Sequence, residues 1–302
     1  MGSEMCIRDR FDIRPTPYVG RFAPSPTGPL HFGSLVAALA SYCDAKYHDG
    51  LWQLRIDDID SARAVAGSID SIKTCLDVYG FAWDGDVILQ STRHSLYFEK
   101  LQQLIQDGLL YHCSCTRKQL LGQPIYPGFC RQDQPTYPIV ENDQALRLRV
   151  DDKSQFNDKI QGMQTALLDK DIGDIVVWRR DAVFAYALVA AVDDSDGIST
   201  VIRGADLMAS THVQQHLMHR LGRRLPEYGH VPIALDTDHR KLGKQTHAPA
   251  LELENPLVSL HEAWHFLGQE AMQAESVNDF WRHALQQWDI QRVPATTAAI
   301  HA

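Results

Sequence analysis

Three cysteines and a tyrosine stand close together in the middle of the chain, in the order Cys113-x-Cys115-x₁₀-Tyr126-x₃-Cys130. Thiolates grouped in a short segment suit a tetrahedral zinc ion, which stabilises segments too small to own a large core. Zinc usually takes its fourth ligand from Cys or His, and chemistry alone favours His112 over the tyrosine. His112 directly precedes Cys113, however, and this spacing is awkward for one tetrahedron. Free thiols or a redox pair are the alternative.

A turn rich in proline and glycine separates an apolar run at residues 18–22 from an amphipathic helical pattern that starts at about Gly33. Pro24 and Gly28 exclude helix and central strand from the turn. A strand, a turn and a helix in this order cradle phosphate, because the free N–H groups and positive dipole end of the helix favour an anion. His31 lies at the mouth of that helix. A plain turn that caps a core helix is the alternative.

Two lysines three residues apart, Lys241 and Lys244, lie in a polar and basic stretch late in the chain. Such a pair is able to clamp a polyphosphate and to follow the charge that develops during displacement at phosphorus. A basic loop that is merely solvated is the alternative. The two lysines and the Pro/Gly turn together indicate a nucleotide site.

The elements that must position these residues alternate between strand and helix. Residues 51–56 read as a strand that ends in the acidic turn beginning at Asp57, and helical patterns follow at about 67–79 and 93–108. This alternation predicts an α/β fold with a parallel sheet. Ligands of such sheets bind beyond the carboxyl ends of the strands. We therefore expect the segment from Arg21 to Ser25 and the turn at Asp57 to face one crevice.

The organisation of the chain changes in its middle, where short strands, turns and cysteines interrupt the α/β pattern. The pattern resumes near residue 183 with an apolar segment at 184–192, a strand at 199–202, a helix at about 207–222 and a last parallel strand at 229–235. We expect five segments: 1–14, a disordered or non-native extension; 15–109, the first half of the core; 110–182, a zinc-bearing insertion; 183–250, the second half; and 251–302, a helical tail with a mobile end at 296–302.

Composition limits the class of protein but does not reveal its partner. The 302 residues suggest one large domain or two small ones, and the net charge of −9 argues weakly against nucleic acid. A local basic face, such as Arg179-Arg180 or Arg220, Arg223 and Arg224, would override that argument. No apolar run approaches the ~20 residues that span a bilayer, and residues 1–10 do not read as a signal peptide. Six unevenly placed cysteines favour a reduced, cytoplasmic setting without membrane contact.

The turn segment Arg21-Phe-Ala-Pro-Ser-Pro-Thr-Gly-Pro-Leu-His-Phe-Gly33 resembles the ATP-binding signature of class I aminoacyl-tRNA synthetases, in the glutamyl/glutaminyl branch. Lys241-Leu-Gly-Lys-Gln245 resembles the second signature of that class, Lys-Met-Ser-Lys-Ser, from which Gly243 and Gln245 depart. The resemblance implies a Rossmann-type catalytic core and ATP as a substrate, with Mg²⁺ accompanying it. It assigns ATP to Pro24, Gly28, His31, Gly33 and Lys244, and catalysis to His31, Lys241 and Lys244.

The same resemblance implies a pocket for L-glutamate. That substrate needs cations for its carboxylates and an anion or hydroxyl for its ammonium group. The residues that the resemblance assigns to it are Arg21, Phe22, Ala23, Pro24, Ser25, Asp57, Tyr186 and Arg203. The polar ones, Tyr186 included, are expected at the ends of different predicted strands. Asp57 departs from the family, which usually has Glu there, one methylene longer. Ion pairs at strand ends are the alternative for Asp57 and for Arg203.

The Cys-x-Cys…Tyr-x₃-Cys set resembles the zinc ligands of one paralogous family, which glutamylates queuosine in tRNA(Asp). The match runs over about residues 17–250, and it implies one structural zinc per chain with Tyr126 as the fourth ligand. Only 57 residues follow Gln245, too few for the anticodon-binding domain of a glutamyl-tRNA synthetase. We therefore expect a monomer that activates glutamate without tRNA and transfers it to queuosine at the wobble position of tRNA(Asp).

Three other functions remain open at this point. The first is a truncated glutamyl-tRNA synthetase that charges the 3′ end of tRNA. The second is a catalytically inactive module that binds RNA or a partner protein, since Gly243 and Asp57 depart from the family. A nucleotidyltransferase with the same histidine-bearing turn is the third, and the glutamate pocket argues against it.

Overall fold

The computed structural model describes residues 17–132, 144–241 and 249–301. In these ranges the chain alternates between strands and helices through most of its length. The helices are α1 (Phe32–Tyr47), α2 (Ser68–Val78), α3 (His94–Gln106), α4 (Tyr186–Asp194), α5 (Met208–Arg220), α6 (Pro256–Phe266) and α7 (Val277–Gln287). The strands are β1 (Val19–Phe22), β2 (Leu51–Ile56), β3 (Ile88–Leu89), β4 (Leu110–Cys113), β5 (Ala145–Leu148), β6 (Lys153–Asp158), β7 (Gly162–Leu167), β8 (Ile175–Trp178), β9 (Thr200–Gly204), β10 (Glu227–Val231), β11 (Ile233–Leu235) and β12 (Ala298–Ile300).

Parallel strands form the centre of the molecule. β1 pairs with β2 and β2 with β3, while β9 pairs with β10 and β10 with β6, all in parallel. The N–H of Ser199, just before β9, donates to the carbonyl of Val19 in β1 over 2.9 Å, so these two strands lie side by side. From β1 the sheet continues through β2 and β3 in one direction, and from β9 it continues through β10 and β6 in the other. Parallel sheets bind ligands at the point where the strand order reverses in this way. The predicted α/β fold with a parallel sheet is confirmed.

Helix α1 crosses the sheet with most of its surface covered. Its buried side chains include Leu35, Val36, Leu39 and Cys43, and they pack with Trp52, Leu54 and Ile56 of β2 in one large apolar cluster. Because it is buried on several sides, the helix is less amphipathic than the sequence pattern predicts. This packing fixes the first turn of α1 beside the carboxyl end of β1.

The middle of the chain is only partly separate from the main sheet. β4, β5 and β8 form their own antiparallel sheet, as an insertion would. β6 and β7, however, extend the central sheet beyond β10. Residues within the segment 110–182 therefore reach the neighbourhood of the strands that carry the site.

Two predicted elements differ from the observed ones. The apolar segment at 184–192 becomes helix α4, in which Leu188–Asp194 are all buried, so Tyr186 lies at a helix start rather than a strand end. The last parallel strand, expected over 229–235, is divided into β10 and β11. Pro232 lies between them, and it lacks the N–H that a continuous ladder requires.

The C-terminal segment packs on α1 through tryptophans. The indole Nε1 of Trp288 donates to Asp44 Oδ1 over 3.0 Å, and the hydroxyl of Tyr18 donates to Asp44 Oδ2 over 2.5 Å. Instead of the mobile end expected at 296–302, residues Ala298–Ile300 form β12, which pairs in parallel with β11. Within the described ranges, every helix is too short or too polar to cross a bilayer.

Candidate active site and candidate metal centre

A cavity of about 290 Å³ opens where β1 and β9 end, facing the first turn of α1. Residues of β1 and the turn after it, of β9, of the start of α4 and of β11 line it. The sequence-predicted residues that line it are Arg21, Phe22, Ala23, Pro24, Ser25, His31, Gly33, Tyr186, Arg203 and Lys241. The structure thus brings together nine of the residues that the sequence assigns to ATP or glutamate, and Lys241, which it assigns to catalysis.

Arg21 enters the cavity wall from β1 with only 4% of its surface exposed. Its Nε and Nη2 donate to the two carboxylate oxygens of Asp194 over 3.1 and 3.0 Å. Arg55 Nη1 donates to the same carboxylate over 2.6 Å. Burial alone would raise the pKa of Asp194, but the two guanidinium groups hold that pKa well below its ordinary value. Asp194 is therefore a permanent anion that fixes the orientation of Arg21.

Asp57 is not part of the cavity wall. Its Oδ1 accepts a hydrogen bond from Arg55 Nε over 2.7 Å, and its side chain is 5% exposed. Burial raises the pKa of the Asp57 carboxyl although Arg55 opposes the shift. The backbone N–H of Asp57 donates to the carbonyl of Pro24 over 2.9 Å, which ties the turn after β2 to the turn after β1. Its carboxylate thus takes part in the strand-end ion pair that the sequence offered as the alternative.

Arg203 faces Arg21 from β9 and is also 4% exposed. Its Nη2 donates to Thr211 Oγ1 and to Gln214 Oε1, each over 2.7 Å, and its Nε donates to His230 Nε2 over 3.2 Å. Its Nη1 is buried and has no hydrogen-bond partner among the described residues. Within the same residues, the guanidinium has no carboxylate at salt-bridge distance. A buried cation with only neutral partners is costly, and an anionic ligand would relieve that cost.

The turn after β1 places a histidine at the helix mouth. His31 is the N-cap residue of α1, and its Nε2 lies 3.3 Å from the Ser34 hydroxyl. Gly28 does not line the cavity. It has a φ of +130°, and a Cβ there would meet nothing within 4 Å, so its role lies in the backbone shape of the turn.

Lys241, the first lysine of the basic stretch, lines the cavity. Its ammonium contacts Asp206 Oδ2 over 2.5 Å, which links Lys241 to the segment that follows β9. Lys244, with Gly243 and Gln245, lies outside the described residues. The assignments of individual side chains to ATP or glutamate stay predictions.

Sequence reasoning missed the acids that support the two arginines. Asp193 and Asp194 end a long apolar run, and both side chains are buried at the end of α4. Two consecutive acids at the end of an apolar run indicate that buried cations lie elsewhere in the chain, since ionised carboxylates are rarely buried without partners. The sequence pattern does not identify these cations, and it gives no reason to single out Arg55.

The cysteines predicted to bind a metal form a cluster. The Sγ atoms of Cys113, Cys115 and Cys130 lie within 4.8 Å of one another, with 3.6 Å between those of Cys115 and Cys130. The Tyr126 hydroxyl oxygen lies 3.5 Å from Cys113 Sγ and 3.7 Å from Cys115 Sγ. Four ligands around zinc at about 2.3 Å would lie about 3.8 Å apart. The four side chains therefore fit a tetrahedral zinc site.

The position of Tyr126 in this cluster favours it over His112 as the fourth ligand. Its hydroxyl oxygen accepts a hydrogen bond from the Cys130 N–H over 2.9 Å, which holds it against the thiols. His112 precedes Cys113 within β4, so their side chains point to opposite faces of the strand. Cys113, Cys115 and Cys130 are free thiols rather than disulfides.

Comparison with known proteins identifies the family. The catalytic-domain model of "tRNA synthetases class I (E and Q)" matches residues 18–124 and 131–256. Proteins named glutamyl-Q tRNA(Asp) synthetase are similar over almost their whole length. That of Dechloromonas aromatica is 45% identical, with 92% of this chain and 96% of the relative covered. That of Pseudomonas aeruginosa is 44% identical, with 92% and 95% covered.

The fold comparison agrees. The crystal structure of the glutamate–tRNA synthetase from Elizabethkingia anophelis matches with a TM-score of 0.76 at 22% identity, covering 95% of this chain and 68% of that one. The chain belongs to the class I tRNA synthetases of the E and Q type, enzymes of the ligase class that use ATP. Within that class, the sequence-based recognition of the glutamyl-Q tRNA(Asp) synthetase group is confirmed by its relatives.

Proposed function

We propose that the chain condenses L-glutamate with ATP without needing tRNA, and then transfers the glutamate to queuosine at the wobble position of tRNA(Asp). The observation that carries the proposal is Arg203. This buried guanidinium lines the cavity with an unpartnered Nη1 and without a carboxylate at salt-bridge distance among the described residues. A dicarboxylic amino acid would supply the missing anion. The similar proteins are named glutamyl-Q tRNA(Asp) synthetase, which supports glutamate as the amino acid and tRNA(Asp) as the acceptor.

Arg21 and Arg203 contribute differently to glutamate binding. The charge of Arg21 is neutralised by Asp194, so Arg21 contributes oriented N–H donors rather than net positive charge. Arg203 has no carboxylate at salt-bridge distance among the described residues, so more of its charge is left to attract a ligand. Tyr186, 37% exposed at the start of α4, and the half-buried Ser25 supply hydroxyl groups to the same cavity. In this arrangement Asp57 does not contact the ammonium group, and its carboxylate serves instead to hold Arg55.

Adenylate formation needs position and charge rather than a protein nucleophile. A glutamate carboxylate oxygen attacks the α-phosphorus of ATP, and pyrophosphate leaves with the electrons of the broken P–O bond. The first turn of α1, entered through His31, faces the cavity with its positive dipole end toward the phosphates. Lys241 and Lys244 stabilise the charge that grows on the leaving group. Mg²⁺ accompanies ATP.

The second step moves the activated acyl group. A hydroxyl of the queuosine cyclopentene-diol attacks the acyl carbon, the bond from that carbon to the phosphate oxygen breaks, AMP leaves with its electrons, and the hydroxyl proton is released. Zinc on Cys113, Cys115, Cys130 and Tyr126 shapes the segment that they span and takes no part in this chemistry. The wobble base reaches the same cavity from its open side, past Lys241.

Glutamate-dependent exchange between ATP and pyrophosphate, measured without tRNA, tests the first step. Arg203→Gln removes the uncompensated cation and is expected to raise KM for glutamate by at least about 30-fold. Arg223→Gln is the matched control, because Arg223 is a partly exposed arginine that pairs with Asp196 outside the cavity. An unchanged KM for glutamate in Arg203→Gln would contradict the assignment of this residue.

Labelled glutamate with tRNA from cells that contain or lack queuosine tests the second step. Label that appears only on the queuosine-containing pool supports the proposal. Equal labelling of both pools would show charging at the 3′ end instead. The absence of both labelling and pyrophosphate exchange would indicate a binding module without catalysis.

A further inference from the structure

Behind Arg203, away from the cavity, lies a buried pair formed by His230 and Asp158. His230 comes from β10 and is fully buried, and Asp158 ends β6 with 2% of its surface exposed. His230 Nδ1 lies 2.6 Å from Asp158 Oδ2, and His230 Nε2 lies 3.2 Å from Arg203 Nε. The three side chains therefore form a line from the segment 110–182 to the cavity wall.

The carboxylate at the far end of the line is held in its ionised form. Asp158 Oδ1 accepts hydrogen bonds from the backbone N–H groups of Ile160 and Gln161 over 3.0 and 2.9 Å. It also accepts one from the N–H of His230 over 3.0 Å. Three backbone donors on one oxygen favour the charged form strongly. Oδ2 is left to accept a proton-bearing nitrogen, so His230 carries its proton on Nδ1.

This tautomer decides what His230 does for Arg203. With the proton on Nδ1, Nε2 is an acceptor, as the donating Arg203 Nε requires. Burial, together with the charge of Arg203, lowers the pKa of His230 although Asp158 opposes the shift, so the ring stays neutral. Thr211 and Gln214 accept from Nη2 on the same guanidinium. Among the described residues, this leaves only Nη1 of Arg203 without a hydrogen-bond partner and available to a ligand.

We infer that Asp158 and His230 are positioning residues, which hold the guanidinium of Arg203 so that Nη1 and an unneutralised charge are presented to the substrate carboxylate. This inference rests on the proposed function. The neutral ring matters because it separates the Asp158 charge from Arg203. A carboxylate in direct contact would orient the guanidinium equally well, but it would cancel the charge that attracts glutamate.

Asp158→Asn is the sharpest perturbation because it keeps the size of the side chain. Its carboxamide must direct the NH₂ group either at three backbone donors or at His230. The second choice moves the ring proton to Nε2, where it opposes the N–H of Arg203. We expect KM for glutamate to rise about tenfold, the cost of one misdirected hydrogen bond, with KM for ATP within about twofold of wild type.

Two further variants complete the set. His230→Gln places an acceptor near the Nε2 position, so we expect a smaller rise in KM for glutamate than in His230→Leu, which places none. His216→Gln is the matched control, because His216 is a buried histidine beside Asp152 that does not line the cavity. It should leave both KM values unchanged.

Long-range ¹H–¹⁵N correlation of the wild-type histidines tests the inference without any substitution. A neutral His230 with its proton on Nδ1 supports it, whereas a proton on Nε2, or on both nitrogens at neutral pH, overturns it. Arg203→Gln separates the two proposals. If it raises KM for glutamate while a folded Asp158→Asn does not, this inference alone fails. If Arg203→Gln leaves KM for glutamate unchanged, the assignment of Arg203 fails and this inference fails with it, whereas the pyrophosphate-exchange and labelling assays decide the proposed function itself.

Discussion

Replacement of Asp194 by Asn is expected to destabilise the protein strongly. Asp194 Oδ1 accepts from Arg21 Nε and Arg55 Nη1, and Oδ2 accepts from Arg21 Nη2. An asparagine has one acceptor oxygen, so its NH₂ group must face a guanidinium donor. Two buried cations would also lose their shared anion. The variant keeps the volume of the side chain, so packing contributes little to the effect.

The size of the effect follows from the burial of all three groups. Their side chains are 5% exposed or less. Removal of one partner from a buried ion pair costs about 3–5 kcal/mol, because it leaves an uncompensated charge in the interior. For a chain of this size, each kcal/mol lowers the Tm by about 2–3 °C. We therefore expect Asp194→Asn to lower the Tm by about 6–15 °C.

Thermal unfolding measures the effect, and Asp196→Asn is the control variant. Asp196 lies two residues further on, and its side chain is 48% exposed, so its pairs with Arg93 and Arg223 are screened by water. Because the pKa of Asp194 is lowered, its contribution is complete at any pH above the unfolded value of about 3.9 and is lost only as pH falls toward the folded value. Equal losses for the two variants at pH 7 would refute the reasoning.

Three further predictions concern other parts of the molecule. Cys115→Ser should release zinc and lower the Tm, whereas Cys75→Ser, outside the cluster, should retain zinc. The zinc content of both variants tests this, and full zinc retention in Cys115→Ser would refute the assignment of Cys115 as a ligand. Burial lowers the pKa of His212, His216 and His230. As the pH falls below the unfolded value of about 6.5, the unfolded chain therefore binds protons before the folded one does, and the free energy of unfolding should fall between pH 7 and 5. In urea titrations over this range, His216→Gln should make the fall less steep. Trp288→Phe leaves one oxygen of Asp44 without its indole donor, at a cost of about 1–3 kcal/mol; a loss below 0.5 kcal/mol, on the order of a surface substitution, would show that water replaces the indole.

Elements that follow a local pattern were predictable. The strand at 51–56 agrees with β2, and the helix expected from about Gly33 agrees with α1, which begins at Phe32. Sequence spacing alone also indicates the ion pair of Asp57. Asp57 stands two residues after Arg55, and period-2 alternation places both side chains on one face of a strand. The observed ion pair between them is therefore a local consequence of the sequence.

Features that depend on distant partners were not predictable. The partner of Arg21 lies 173 residues away. The helix at 186–194 contains Val189 and Val192 in an apolar run that fits a buried strand equally well. Similarly, little in Ala298–Ile300 favours a strand, and only the exposed edge of β11 explains why it forms one.

The anion shared by Arg21 and Arg55 also constrains how the protein emerges from the ribosome. The two arginines precede Asp194 by 173 and 139 residues. At about 5–20 residues per second, the nascent chain carries Arg21 for about 9–35 s before Asp194 is synthesised. Arg55 has Asp57 as a second partner two residues later, but during that interval β1 is unable to bury Arg21 without a severe desolvation cost. We therefore expect β1 to be buried only after α4 is made, which would make this newly synthesised half a natural client for a chaperone.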